Sequence, residues 1–219
     1  MPISPIAHIF LDRLSWISSI SFSQDASIDV GCSPRHGYTS PTCLSAMENM
    51  SSLVFDLLDL AKIDETADEI VVSEFDLSNV VLSKSLEFEC TAFESGKTFE
   101  QNITDGLKYK GNEEAIKHLV TILIDNAIKH SDEKGIIRVT LTSSGNKKIF
   151  QVYNTGNGIR NSEKDRIFDR FYRSDESRSK STGGYGLGLS IAKAITDAHG
   201  GTISVDGEEG SWISFTVVL

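Results

Sequence analysis

Apolar residues near the start of the chain recur at helical spacing. Ile6, Ile9, Phe10, Leu14 and Ile17 fall three or four apart, which suits one amphipathic helix. The polar run after it, SQDASIDVGCSPRHGYTSPT, contains Gly31, Pro34, Gly37 and Pro41 and reads as a loop or link. A sharper helical pattern follows: Met47, Met50, Val54, Leu57, Leu58 and Ala61 share one face, close to a heptad seam. So narrow a seam wants a partner helix, either within its own domain or in a dimerising hairpin.

From residue 69 the period changes. EIVVSEF reads as a strand, Asp76 or Ser78 can cap a helix to about Glu94 with Gly96 as its stop, and KTFEQNI reads as a second strand. Asn112, with Glu113 and Glu114 behind it, opens a long helix through Lys129, where first-turn acids suit the positive end of the dipole. GIIRVTLTS and KKIFQVYN then read as strands joined by the hairpin-like SGNK. A charged stretch from Arg160 to Thr182 precedes a helix from about Leu187 to Ala198, and the strands GTISVDG and SWISFTVVL close the chain. Helices interleave with hairpin-linked strands, which predicts an α/β (α+β) two-layer sandwich, a mixed β-sheet with helices on one face.

Composition narrows the function classes. With 219 residues, 39% of them hydrophobic, the chain can build one good-sized domain plus an appendage. A net charge of −10 argues against a general nucleic-acid or anionic-membrane binder, so any phosphate must be held locally. Cys32, Cys43 and Cys90 are scattered outside any metal-ligand spacing and read as reduced thiols. No apolar run is long enough to span a bilayer, and His8, Asp12 and Arg13 make the start a poor signal peptide. These features predict a soluble chain in a cytoplasmic setting.

Four segments carry candidate chemistry. STGGYGLGLSIAKAI sets Gly184, Gly186 and Gly188 beside the start of a helix, where N–H groups and the dipole favour an anion; alone, a glycine-rich turn is more often punctuation. TILIDNAIKHSD places Asn126, Lys129 and His130 on one helical face; an asparagine amid aliphatic residues needs a partner, which a hard cation or a backbone carbonyl can supply. YNTGNGI ends a strand with Asn154, able to accept from and donate to a heterocycle, while Gly156 and Gly158 let a flat ring approach, or simply make a turn. The stretch from Arg160 to Thr182 is too long for a plain connection and is either a lid or disordered; Ile167, Phe168, Phe171 and Tyr172 can anchor it, with Arg170, Arg173, Arg178 and Lys180 around them.

In this order the four segments resemble the catalytic ATP-binding domain of sensor histidine kinases, within the ATPase superfamily shared with type II topoisomerases, mismatch-repair and heat-shock proteins. ILIDNAIKHS looks like its N box, NTGNGI its G1 box, RIFDRFYR its F box and GYGLGLSIAKAI its G2 box, with HGGTISV similar to the sequence that follows. The likeness runs from about residue 46 to 219. It implies a Bergerat-type fold with ATP between the helices and a lid at about 160–183. It also implies that Asn126 ligates Mg2+ bridging the phosphates and that Lys129 contacts phosphate. Asn154 would read the adenine amino group, Gly156 and Gly158 would give the ring room, and Gly184, Gly186 and Gly188 would pass the triphosphate to the helix N-terminus. His130, Ile159, Tyr185 and Leu187 stand inside the same boxes as further nucleotide contacts, and Arg173 is the lid cation assigned to catalysis.

The chain departs from the family pattern in three ways. Ile122 stands at the first N-box asparagine and His130 where tyrosine is common; Asn154 replaces the usual aspartate, a neutral acceptor that should bind more weakly. The helix at 46–66 resembles the second helix of the dimerisation and phosphoacceptor hairpin, yet no acceptor box precedes it: His8 is followed by Ile9 and His36 by Gly37. Residues 1–45 thus read as a truncated, divergent or altered first helix, and 67–219 as the catalytic domain. The resemblance implies a protein-histidine kinase that works as a homodimer, passes phosphate to a response-regulator receiver domain and is often membrane-tethered through another part. The alternatives are a nucleotide-binding regulatory module without phosphotransfer and, ranked below both, an ATP-hydrolysing member of the superfamily.

Overall fold

The computed structural model describes residues 72–173 and 185–219. The two helical patterns before residue 66, Gly184 and the cations Arg178 and Lys180 lie outside the described residues. Strand β1 (Ser73–Asp76) leads into helix α1 (Leu77–Glu94), followed by β2 (Thr98–Ile103), β3 (Lys108–Gly111), α2 (Glu113–His130), β4 (Ile136–Ser144) and β5 (Lys147–Thr155). A short 3-10 turn at Asn161–Glu163 precedes α3 (Gly188–Ala198), β6 (Thr202–Glu208) and β7 (Trp212–Val218).

Strands β2-β4-β5-β7-β6 form one mixed sheet, in which β2 runs parallel to β4 and the other neighbours are antiparallel. The expected two-layer arrangement is therefore present, with the helices on one face. Alternation sets the faces: Ile137, Val139 and Leu141 of β4 and Phe150 and Val152 of β5 are buried, whereas Arg138 is exposed. Onto this face pack Val80 and Val81 of α1, Leu119, Leu123 and Ile124 of α2, and Ile191 and Ile195 of α3, all in one core. Burying each such side chain contributes about 1.5–3 kcal/mol. Helix α2 lies between α1 and α3, so it is the central member of the helical layer.

The caps follow the sequence. Asp76 accepts from the Asn79 N–H at 3.1 Å and starts α1; Ser78 is instead buried, donating to the Thr104 carbonyl and accepting from the Leu107 N–H. Asn112 accepts from the Ala115 N–H at 3.0 Å and starts α2. Strand β3 has no counterpart among the expected elements. Its four residues, KYKG, show no run of alternation; they are extended because they pair antiparallel with β1 in a separate two-stranded sheet. Phe171 also departs from its expected anchoring role. It is 60% exposed and adopts φ 64°, whereas Phe168 packs edge-on against Phe215 and Ile167 rests on the core.

Candidate functional site

The second half of α2, itself one candidate segment, adjoins the end of β5 and the start of α3, and the segment after β5 reaches them through Gly186. Its C-terminus is fixed from outside the helix, where Lys97 Nζ donates to the carbonyls of Ile128 and of Ser131, the latter at 3.0 Å. A cation on those carbonyls satisfies orphan acceptors and complements the dipole. Gly156 lies against the same end: Ser131 and Gly156 form a bridge, and a side chain at Gly156 would overlap the His130 carbonyl oxygen. One turn before Asn126, Ile122 Cγ2 would stand 3.4 Å from a Cβ at Gly188, the first residue of α3. The β5 end and the α3 start therefore flank Asn126 along one helix.

Each candidate residue then has a place. Asn126 is half-buried, and its side chain makes no hydrogen bond to the described residues. Lys129 pairs with Asp125 at 2.5 Å, one helical turn back, and is exposed enough to leave that partner for a stronger anion. His130 is exposed. Ile122, a departure in sequence, has a packing task in space as the support for the start of α3.

Asn154 is the most constrained of them. The register of β5 carries it on the same face as Phe150 and Val152, so a polar side chain occupies a core-facing position at 1% exposure. Its Nδ2 donates to the Thr155 carbonyl at 3.1 Å, while its Oδ1 is buried with no hydrogen-bond partner among the described residues. An unmatched buried acceptor of this kind costs about 1–3 kcal/mol, so it marks the place of a donor that comes from elsewhere.

The two glycines after Asn154 have protein backbone as their close neighbours. A Cβ at Gly158, which holds φ 64°, would overlap the carbonyl oxygen of Glu208, the last residue of β6. Gly156 N–H donates to the Ser211 carbonyl at 3.0 Å and Gly210 N–H to the Asn157 carbonyl at 2.7 Å, so this turn is stitched to the β6–β7 hairpin. Ile159, buried at 5%, closes it against Gly207.

The third and fourth segments meet at Gly186. Phe171 N–H donates to the Gly186 carbonyl at 2.9 Å, and Gly186, at φ 73°, lies against the Tyr172 carbonyl. Tyr172 is held in turn by its hydroxyl on Glu163 at 3.2 Å and by Arg166 over its ring. Arg173, next in sequence, is half-buried. Leu187 is buried, Tyr185 is 40% exposed, and Leu187, at the N-cap position, offers no side-chain cap to the first N–H groups of α3. An uncapped helix start bounded by glycines accommodates an anion.

The residues present fit a nucleotide with a hard cation. The orphan Asn154 acceptor suits an exocyclic amine, the α3 start suits phosphate, and the Asn126 amide between them suits an ion completed by phosphate oxygens and water. Sequence reasoning missed Lys97, whose bond to α2 spans 31 residues, and His199. The His199 Nδ1 donates to the Ile195 carbonyl and its Nε2 accepts from the Asn112 N–H at 3.1 Å, so it ties the end of α3 to the start of α2.

Residues 111–219 match the family described as histidine kinase-, DNA gyrase B- and HSP90-like ATPases. The chain is 34% identical over 193 residues to the sensor histidine kinase RppB of Synechocystis sp., covering 88% of this chain and 42% of that protein. It is also 36% identical over 174 residues to the Bacillus subtilis sensor histidine kinase YkoH, covering 77% of this chain and 36% of YkoH. The chain thus spans less than half the length of these relatives. Full-length ShkA in complex with AMPPNP superposes with a TM-score of 0.70 at 26% identity, covering 81% of this chain and 37% of ShkA. The nucleotide-free catalytic domain of the histidine kinase ThkA gives 0.60 at 28% identity, covering 69% of this chain and 95% of that domain. Together with the site geometry, these likenesses identify the chain as a member of the histidine kinase-, DNA gyrase B- and HSP90-like ATPase family, carrying a catalytic ATP-binding domain of the sensor histidine kinase kind.

Proposed function

We propose that this chain is the catalytic region of a two-component sensor, an ATP-dependent protein-histidine kinase. The observation that carries the reading is the buried, unmatched Asn154 Oδ1 at the end of β5, beside the half of α2 that bears Asn126. In this reading the adenine amino group donates to that oxygen. His130, Gly156, Gly158 and Ile159 line the base, and Gly184, Tyr185, Gly186, Leu187 and Gly188 lead the phosphates to the α3 start. Asn126 would hold magnesium, which when bound would supply charge neutralisation for the phosphates. Lys129 releases Asp125 to contact phosphate, and Arg173 stabilises charge on the transferring group.

Transfer breaks the bond between the γ-phosphorus and the β–γ bridging oxygen, forms a phosphorus–nitrogen bond on an imidazole, and leaves ADP. Little covalent work falls to the protein, so catalysis rests on position and charge neutralisation. We further assign residues 1–45 to a truncated, divergent or altered first hairpin helix, 46–66 to the second helix, 67–219 to the catalytic domain and 160–183 to a lid. A homodimer, a response-regulator receiver domain as phosphate acceptor, and a cytoplasmic position beneath a tether outside this chain complete the proposal. Among the described residues no helix is long and apolar enough to cross a membrane.

The test supplies what the sequence lacks. An isolated phosphoacceptor hairpin of a sensor kinase is mixed with the chain, magnesium and γ-labelled ATP. Acid-labile, alkali-stable label on the hairpin is the expected result. Normal ATP binding with no such label would favour the nucleotide-binding regulatory module, which the absence of an acceptor box in residues 1–45 supports.

A further inference from the structure

The face of the sheet turned away from the helices carries a feature with no part in the nucleotide site. Strands β5, β7 and β6 bring Tyr153, Ser214 and Asp206 into one cross-strand row. Small side chains at the centre of β7 leave a trough of about 480 Å³, with Ser214 and Thr216 as its floor. Tyr153 and Trp212 form one wall, their rings stacked at 5.8 Å; Ser204 and Asp206 form the other. Ser214 is only 5% exposed, and its buried hydroxyl has no hydrogen-bond partner among the described residues. Like Asn154 Oδ1 on the opposite face of the same sheet, it marks a place that a polar group can complete.

The chemistry selects the group. The residues that line the trough include a carboxylate and no cation. Asp206 Oδ1 accepts from Lys164 Nζ and from the Gly207 N–H, both at 2.8 Å, and Oδ2 makes no bond to the described residues. On the other side of Tyr153 the chain displays the matching arrangement itself. The Arg138 guanidinium stands 5.5 Å from the ring centroid and donates to Glu100 at 2.7 Å. A planar cation that stacks on an aromatic ring while it donates to a carboxylate is favoured by both contacts at once, and guanidinium does this better than ammonium. Overall charge of −10 attracts such a partner and repels anionic ones.

We propose that this trough receives an arginine side chain from a partner polypeptide, seated between the Tyr153–Trp212 pair and Asp206 above the Ser214 hydroxyl. The site is independent of ATP, since it lies on the opposite face from Asn154. One seated arginine makes a weak contact by itself, with a dissociation constant of about 1–10 mM; a partner supplies the remainder through its own surface.

The blocked peptide acetyl-Gly-Arg-Gly-amide, with lysine and citrulline counterparts, is titrated into the whole labelled chain. The Trp212 indole N–H resonance is followed, assigned with Trp212→Phe. A saturable shift with the arginine peptide, a weaker one with lysine and none with the uncharged citrulline is expected. Asp206→Asn should weaken binding at least fivefold, and Lys164→Ala, which removes the ammonium that shares Asp206, should tighten it. Equal responses to arginine and citrulline, equal affinity for lysine, unchanged affinity in Asp206→Asn, or no saturation by about 50 mM would each overturn the assignment.

Discussion

At the scale of the residue, Asn154 carries the most information. The sequence showed Asn154 as a polar residue at the end of a strand, and the structure puts it on the buried face with Phe150 and Val152. What sequence alone did not show is that Oδ1 stays unmatched after folding. Asn154→Ala should therefore lower ATP affinity by about tenfold to a hundredfold, as expected when a ligand donor loses its buried acceptor. Asn154→Asp should act in two directions: a lower melting temperature without nucleotide, because a carboxylate is buried, and several-fold tighter ATP binding through a charge-assisted bond. Melting with and without nucleotide separates the two effects. Gly158 teaches the converse lesson. The glycine was visible, but its reason, the Glu208 carbonyl some fifty residues on, was not. Gly158→Ala should destabilise by about 3–5 kcal/mol in denaturant titration, since both a left-handed φ and backbone overlap oppose the methyl group.

At the scale of the element, α2 was read almost to its ends because its signals are local: Asn112 as cap, Glu113 and Glu114 in the first turn, Lys129 and His130 in the last. Its supports are not local. Lys97 and His199 reach it from β2 and α3, and no periodicity within α2 announces them. Asn112→Ala should cost about 1 kcal/mol, and Lys97→Met about 1–2 kcal/mol by loss of the cation on the last carbonyls. Both should also weaken nucleotide binding, which calorimetry can read, because α2 places Asn126 between the two glycine segments. Helix α1 adds a pH dependence. The Asn79 N–H and then Lys108 hold the Asp76 carboxyl below its ordinary value of 3.8. A depressed folded value means stability that is present above 3.8 and lost as pH falls through the folded value. Asp76→Asn, which keeps an acceptor but no charge, should melt below the unaltered chain at neutral pH, and the difference should close on acidification. Strand β3 was missed for the same kind of reason that Lys97 was: a four-residue strand is defined by its partner, not by its own pattern.

At the scale of the whole molecule, the four segments are separated by stretches of other structure and meet only because α2 has Gly156 at one end of its site-bearing half and Gly188 near the other. Each segment read alone had an ordinary structural explanation, and the fold shows that some of those explanations are also true. Gly156, Gly158 and Gly186 make room for backbone, and Ile122 packs where the family resemblance led us to expect a polar contact. What distinguishes a binding site from well-made turns is the combination, among the described residues, of an unmatched buried acceptor, an asparagine amide without a hydrogen bond and a helix start that its own N-cap residue does not cap. The negative net charge fits the proposed pocket, which would bind phosphate locally, through backbone N–H groups, a metal ion and a few placed cations, rather than through a basic surface. The most direct measurement is a calorimetric titration of the chain with an ATP analogue, with and without magnesium, beside the same titration with a GTP analogue and with Asn126→Ala. Magnesium-dependent binding that prefers adenine and is lost in Asn126→Ala is the predicted result; no binding at about millimolar nucleotide, or binding indifferent to the base and to Asn126, would contradict it.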